Sequence, residues 1–517
     1  VNSIDMSQNR CIEEEVATGF FNPDRNCWRV RQAERLALVV DGENYFAALR
    51  QVIRQARREL LLIGWDFDFE IEMLPGESDD DGNAPDGLPN QVGPFLEAVV
   101  EQAPNLHVYI LKWNGAVIAA PGRLLSSVAV YVSSSDQIHF ALDGHHPFGA
   151  CHHQKIIVAD NAFAFCGGID VTENRWDTTA HLPNDPRRVG RDGSSLGPWH
   201  DATTALTGPV AEELGAVART RWSRATGETL TAPDFAAGHI WPESLTVDAT
   251  QVDVAIARTE PPYDGEPLIN EIECLFLDSI RMARDTIYIE SQYLTAQTIC
   301  DALLDRLSAN NPPEIIIINP EAALSGFEDQ SMHVLRGRVM TRLENADHAD
   351  RLRILSPVNS AGEPIYVHAK IMIVDDAILH IGSSNLDDRS MGFDTECDVA
   401  IQGHPDLISG FREKLLSEHL DVSPAHFTDA VDREGSVIAA IERLNAPQGR
   451  RLRPIRVLPE TWMGKILADT RLMDPRYDVR DNSNAGKGLR PRHLAMAAAG
   501  VAVGYIAVKL WRNWSRK

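Results

Sequence analysis

Apolar residues recur with a helical period over Asn44 to Arg58, where Tyr45, Phe46, Leu49, Val52, Ile53 and Ala56 share one face. The apolar run Leu60-Leu61-Leu62-Ile63-Gly64-Trp65 follows at once and reads as a buried strand. The same succession returns later. Ile272, Phe276, Ile280 and Ala283 repeat the face of Tyr45, Leu49, Ile53 and Ala56 at one constant offset, and Thr286-Ile287-Tyr288-Ile289 repeats the strand. Short apolar runs at Leu106 to Leu111 and Glu314 to Ile318 fit further strands. This alternation predicts an α/β protein of two pseudo-symmetric lobes, each a mostly parallel sheet flanked by helices. The expected divisions are an N-terminal extension over 1–40, a first lobe over 41–245, a second over 246–445, a basic extension over 446–490 and a last helix over 491–517.

Each half also carries the same polar pattern. His153-Gln154-Lys155 is followed by Asp160, and His368-Ala369-Lys370 by Asp375, so both read H-x-K-x-x-x-x-D. The intervening residues are apolar and largely β-branched, and six residues after each Asp comes a small-residue turn, Gly167-Gly168-Ile169-Asp170 or Gly382-Ser383-Ser384-Asn385. A His and a Lys two apart on a strand point to one face. There the ammonium can neutralise phosphate oxygens while the imidazole attacks phosphorus or moves a proton. Two such faces, meeting at one shared active site between the lobes, would place two imidazoles on opposite sides of one phosphorus.

This duplicated pattern resembles the signature of the phospholipase D superfamily. Pro198-Trp199-His200-Asp201 followed by Gly208-Pro209, Ile287-Tyr288-Ile289-Glu290-Ser291-Gln292-Tyr293, and Gly167-Gly168-Ile169-Asp170 followed by Arg175-Trp176-Asp177 resemble segments of phospholipase D proper. The likeness runs from about Asp41 to Gly403 and departs from the general pattern at Gly168-Ile169-Asp170, where Ser-x-Asn is usual. It implies cleavage of a glycerophospholipid to phosphatidic acid and headgroup alcohol through a phospho-histidine, with transfer to other alcohols. It implies His153 as nucleophile, His368 as acid and base, and Lys155 and Lys370 on the non-bridging oxygens. Asn385 is implied as a neutral donor, Asp170 and Ser383 as further substrate-binding positions, and Asp160 and Asp375 as structural. A cardiolipin-synthase-like transferase is the alternative, and a nuclease a weaker one. No cofactor and no metal are expected.

A nucleophilic imidazole needs its far nitrogen tethered, which calls for a carboxylate. Aligning the repeats pairs Asp201-Ala202-Thr203-Thr204-Ala205-Leu206-Thr207-Gly208 with Glu396-Cys397-Asp398-Val399-Ala400-Ile401-Gln402-Gly403. Asp201 and Glu396 are thus the candidate orienting groups, with Asp398 as a rival to Glu396. His145, His146 and His152 crowd the first motif, but no spaced acidic or Cys partner completes a metal set.

Composition narrows the partners. A formal net charge of −25 disfavours a general nucleic-acid binder. Seven scattered cysteines without C-x-x-C argue against a disulfide framework and favour a reducing compartment. Glu77 to Pro89 is acidic and rich in Gly, Asp and Pro, and reads as a solvated loop. His181 to Pro198 is a second long polar loop and a candidate substrate-facing rim. Arg450, Arg451, Arg453 and Arg456 beside prolines read as an exposed extension. Leu494 to Val508 carries no charge, has basic flanks and Trp511 and Trp514 beyond it, and reads as a C-terminal membrane anchor or interfacial helix. The expectation is a cytoplasmic monomer that meets a membrane surface through this segment, with a phospholipid as substrate and no nucleic acid as partner.

Overall fold

The computed structural model describes residues 19–115, 135–233, 240–322, 326–457, 459–471 and 473–476. The first half contributes β1 (Arg29–Val40), α1 (Gly42–Gln55), β2 (Glu59–Gly64), α2 (Val92–Gln102), β3 (His107–Trp113) and β4 (Ile138–Asp143). It continues with β5 (Ile156–Ala159), β6 (Phe163–Gly167), β7 (Trp199–His200), β8 (Ala202–Thr207) and α3 (Pro209–Thr226). The second half contributes β9 (Ala249–Glu260), β10 (Ile269–Asn270), α4 (Glu271–Met282), β11 (Thr286–Glu290), α5 (Gln297–Leu307), β12 (Glu314–Ile318) and α6 (Gly326–Ala346). Then come β13 (Leu352–Val358), β14 (Tyr366–Val367), β15 (Ile371–Val374), β16 (Ile378–Gly382), β17 (Glu396–Gln402) and α7 (Pro405–Leu420). The last elements are α8 (Pro424–Glu434), α9 (Val437–Leu444), β18 (Arg451–Pro454) and α10 (Trp462–Thr470).

The α/β class is as the sequence predicts. All strands but β7 and β14 belong to one 16-stranded sheet, in the order β18-β13-β12-β11-β15-β16-β17-β9-β1-β8-β6-β5-β2-β3-β4 with β10 beside β9. Outward from the antiparallel β1–β9 pair the two halves repeat each other, β8-β6-β5-β2-β3-β4 on one side and β17-β16-β15-β11-β12-β13 on the other. The halves are therefore joined strand to strand in one sheet. Within this sheet parallel pairing, expected for most of each half, is confined to the outer strands β2-β3-β4 and β11-β12-β13. The inner strands pair antiparallel, and two of these pairs, β5–β6 and β15–β16, are joined by tight turns rather than helical crossovers.

Alternation along the strands fills both faces. Leu36, Leu38 and Val40 join a core under α3 and α7 that runs through both halves, while Ala37 and Val39 turn to the core beneath α1 and α2. The corresponding core of the second half lies beneath α4, α5 and α6. The result is a helix–sheet–helix sandwich.

The basic stretch after Arg450 departs from the expectation of an exposed extension. Its β18 adds an antiparallel edge to β13, and Leu452 is buried. The apolar 494–508 segment lies outside the described residues. No helix among the described residues is long and apolar enough to cross a membrane.

The motif aspartates act on the backbone. Asp160 and Asp375 adopt φ of 50° and 51° and sit in the turns after β5 and β15. The Asp160 carboxylate accepts from the N–H groups of Arg57, Arg58 and Glu59 at 2.7, 2.7 and 2.9 Å, which ends α1 three residues before the predicted end and launches β2. Asp375 does the same for Arg284, Asp285 and Thr286 at 2.6, 2.8 and 2.8 Å. Asp160 is 1% exposed, whereas Asp375 is half-buried; in both turns the first two donor residues are exposed and the third is buried. Asp160→Ala is expected to lower unfolding free energy by about 3 kcal/mol through the loss of three hydrogen bonds to a buried carboxylate. Asp375→Ala should cost clearly less, and urea unfolding of the two variants checks the order.

Candidate active site

Neither motif lies within a strand ladder. His153-Gln154-Lys155 and His368-Ala369-Lys370 run just ahead of β5 and β15, and their backbones are bonded to the opposite half instead. The His153 N–H donates to Thr395 O at 2.9 Å, and the His368 N–H to His200 O at 2.8 Å. The two-residue strands β7 and β14 pair in parallel, Trp199 with Tyr366 and His200 with Val367, and an isolated bridge joins His152 to Thr395. Each motif is thus strapped to the segment that carries the other half's carboxylate.

The side chains follow the same cross-over. His153 Nδ1 lies 3.0 and 2.9 Å from the two carboxylate oxygens of Glu396. His368 Nδ1 lies 2.6 Å from Asp201 Oδ2. With Nδ1–H donating to a carboxylate, each Nε2 keeps its lone pair. Ser383 and Ser390 hydroxyls donate to Glu396 at 2.6 and 2.7 Å. The Ala202 N–H donates to Asp201 Oδ1 at 2.9 Å. Asp398 is engaged elsewhere: His380 Nε2 lies 2.6 Å from it, and Ser383 N–H, Ser384 N–H and the Ser384 hydroxyl donate to it.

The ammonium groups differ. Lys155 donates to His153 O at 3.0 Å and lies 3.2 Å from Asp170 Oδ2. Lys370 donates to His368 O. Asn385 stands where Asp170 stands in the first half, so Lys370 lacks the carboxylate that Lys155 has there. Asn385 Oδ1 is buried without a hydrogen bond. Gly168 has the place of Ser383, and a Cβ there would run into Asp201 Oδ1.

Burial, and then the two ammonium groups, hold the His153 imidazole far below its ordinary pKa. Burial, then Lys370 and Arg175, do the same to His368. Burial also raises Glu396 and Asp201, and pushes Lys370 down to about 7, with Lys155 adding to the fall. The site is a closed set of imidazoles and ammonium groups that gains from an anion between them.

Several participants were not singled out from the sequence. Ser390 holds Glu396. Arg175 lies over the Trp199 ring, 4.3 Å from its centroid, and Trp199 stacks on Tyr366 beside His368. Arg175 and Trp199 lie inside the segments quoted above for their resemblance, which was the available signal. His152 is buried against Asp143 at 2.9 Å, and His145 and His146 lie away from the paired motifs beside Tyr263 and Trp113. The His181 to Pro198 loop is pinned rather than free at its start, because His181 is fully buried.

A duplicated α/β sheet with one polar centre strung between its halves defines a broad class. Residues 276–418 match the family described as cardiolipin synthase, PLD-like domain. Phospholipase D1 of Schizosaccharomyces pombe is 24% identical over 404 residues, covering 56% of this chain and 28% of that protein. Phospholipase D alpha 2 of Arabidopsis thaliana is 24% identical over 408 residues, covering 55% and 50%. The chain spans half or less of the length of these curated relatives. Phosphatidylserine synthase of Haemophilus influenzae Rd KW20 shares the fold, with a TM-score of 0.53 at 13% identity over 90% of this chain and 98% of that one. In sequence the chain is similar to members of the phospholipase D superfamily.

The geometry generates a prediction independent of any reaction. Diethyl phosphate, a monoanion across this pH range, should bind the site, and Lys370→Met should weaken it about 10-fold or more, the worth of one charge-assisted hydrogen bond. The lowered Lys370 is cationic below about 7 and neutral above it, so affinity should fall as pH rises through that value. Calorimetric titration of both chains from acid to alkaline pH checks magnitude and sign.

Proposed function

We propose that this chain is a phospholipase D-type phosphodiesterase that cleaves a glycerophospholipid to phosphatidic acid and the headgroup alcohol. The observation that carries the reading is the pair of imidazoles, each held at Nδ1 by a carboxylate from the opposite half and flanked by two buried ammonium groups. The phospholipase D and synthase names borne by its relatives support a phosphatidyl substrate.

In the proposed sequence, His153 Nε2 attacks phosphorus, and the bond to the headgroup oxygen breaks as that oxygen takes the proton from His368 Nε2. The product is a phosphatidyl-His153 intermediate and a free alcohol. Water then gives a proton to His368 Nε2 and attacks phosphorus, the P–N bond breaks, and phosphatidic acid leaves. An alcohol in place of water gives transfer, so the synthase-type alternative shares every step but the last. His153 is given the nucleophilic role because its side chain is 13% exposed against 6% for His368.

His368 must begin protonated, although burial and Lys370 push it toward neutrality. The substrate phosphodiester supplies the missing negative charge beside both ammonium groups, so binding itself raises the acid's pKa. Lys155, Lys370 and Asn385 then hold the non-bridging oxygens, and charge gathering on them in the transition state strengthens those contacts. Glu396 and Asp201 fix the two rings and stabilise their cationic forms. This chemistry calls on no metal at phosphorus.

Mixed phospholipid vesicles with added ethanol test the reading. The wild type is expected to form both phosphatidic acid and phosphatidylethanol. His153→Asn and His368→Asn should each lose about 1000-fold or more in rate, and the double variant little beyond that, because the two groups act as a unit. Absence of lipid product from the wild type across several headgroups would overturn the phospholipid assignment.

A further inference from the structure

A second polar cluster lies behind the paired motifs and takes no part in the reaction above. Asp41 follows β1, His181 lies in the long loop after β6, His200 is in β7, and Glu418 is in the last turn of α7. Asp41, His181 and His200 are fully buried, and the Glu418 side chain is 6% exposed. One donor atom from each residue falls within 4.8 Å of all the others.

We infer that Asp41, His181, His200 and Glu418 form a binding site for one divalent transition-metal ion of the zinc class, which staples the two halves together behind the active site.

Four observations carry this. The first is spacing. His200 Nδ1 is 3.1 Å from Asp41 Oδ1 and 2.9 Å from Glu418 Oε1, and His181 Nε2 is 3.2 Å from Glu418 Oε1 and 3.6 Å from Asp41 Oδ2. A tetrahedral ion with ligands at 2.0–2.1 Å needs donor atoms about 3.3 Å apart. The second is unmet capacity. Asp41 Oδ2 and His200 Nδ1 are buried and make no hydrogen bond, although His200 Nδ1 has two carboxylate oxygens within reach. Its close neighbours are not aligned as acceptors, as befits atoms converging on a common centre.

The third is the outer layer. His181 Nδ1 lies 2.9 Å from Asp177 Oδ2, and His200 Nε2 lies 2.8 Å from Glu290 Oε2. Both imidazoles thus have the far nitrogen fixed by a carboxylate, the arrangement that orients metal-bound histidines. Those carboxylates are themselves held, Asp177 by Arg188 and the Trp199 N–H, and Glu290 by His419 and Tyr288. The fourth is charge. Two carboxylates and two neutral imidazoles cancel a divalent ion inside the fold, where an unbalanced charge would be costly. Two imidazoles among four donors suit zinc and its neighbours rather than calcium or magnesium, which prefer all-oxygen shells.

The neighbouring trio His200, Glu290 and His419 offers one donor fewer, and both Glu290 oxygens there pair with imidazole Nε2 atoms; in the first set His181 Nε2 pairs with Glu418 Oε1, but Asp41 Oδ2 and His200 Nδ1 make no hydrogen bond. The position of the site gives it a consequence. His200 O accepts the His368 N–H, and the next residue, Asp201, holds the His368 ring. Three ligands come from the first half and Glu418 from the second, so the ion would lock the strap on which His368 rests.

The test uses the full chain, untagged and purified without chelator. Elemental analysis should find about one equivalent of a zinc-class ion per chain. Chelator-stripped protein refilled with Co2+ should show the visible absorption of tetrahedral cobalt, and Zn2+ should raise the melting temperature of the stripped chain. Glu418→Gln should lose the cobalt spectrum, and His153→Asn should keep it. Metal-free protein as purified, no tetrahedral cobalt spectrum on refilling and a melting temperature unmoved by Zn2+ would overturn the proposal. The wild-type readouts stand even if Glu418→Gln does not fold, and none depends on activity toward lipid.

Discussion

The tethering of each motif imidazole by a carboxylate from the opposite half is the constraint on which the rest depends. Neither half holds a finished site: His153 without Glu396, or His368 without Asp201, is a buried ring with no fixed tautomer. The two halves must therefore meet in one register. The antiparallel β1–β9 pairing at the middle of the sheet supplies it, and the β7–β14 pair and the His152–Thr395 bridge carry it to the site. The carboxylates also need the cross-over. Buried Glu396 survives beside two serine hydroxyls and an imidazole, and stripping such donors from a buried charge costs several kcal/mol, on the order of 3–5.

Within this symmetric frame the two centres are chemically unlike. Ser383 donates to Glu396, but the matching Gly168 has no room for a side chain because Asp201 presses against it. The shorter carboxylate of the first half approaches its ring at 2.6 Å through one oxygen, whereas Glu396 offers both oxygens at 2.9 and 3.0 Å. Asp170 partners Lys155, and the matching Asn385 leaves Lys370 to a carbonyl oxygen. Duplication provides two imidazoles, and these small departures from it make them inequivalent, as the proposed nucleophile and acid need to be.

Much of this was legible in the sequence, for identifiable reasons. Helical periodicity placed α1 and α4, and repetition of that face exposed the duplication. Aligning the halves brought out Asp201 and Glu396, which lie in the structure against His368 and His153. What escaped depends on distant contacts. An apolar run does not reveal whether its neighbour is parallel or antiparallel, so the antiparallel middle of the sheet was missed. The expected division set residues 1–40 apart as an extension and so hid the central β1, which pairs with β9 of the second half. The basic stretch Arg450 to Arg456, with prolines in and beside it, gave no sign that Leu452 would cover the edge of β13. The buried set of Asp41, His181, His200 and Glu418 draws on residues scattered from the end of β1 to α7, so no local spacing could announce it.

The charge balance follows from the same arrangement. A chain of net charge −25 concentrates two ammonium groups and an arginine at its centre, and burial weakens the charged state of each ring there. Lys155 has a carboxylate beside it, whereas burial brings Lys370 down to about 7 against the pull of Asp201 and Glu396, and an arriving anion stabilises its cationic form further. On the proposed reading that anion is the substrate phosphodiester. Its binding charges Lys370 and protonates His368 in one event, so the acid is armed only when there is a leaving group to receive its proton. The second-half ammonium, bonded to a carbonyl oxygen where Lys155 also has a carboxylate, is then no defect of the duplication but the position at which a phosphate completes the site.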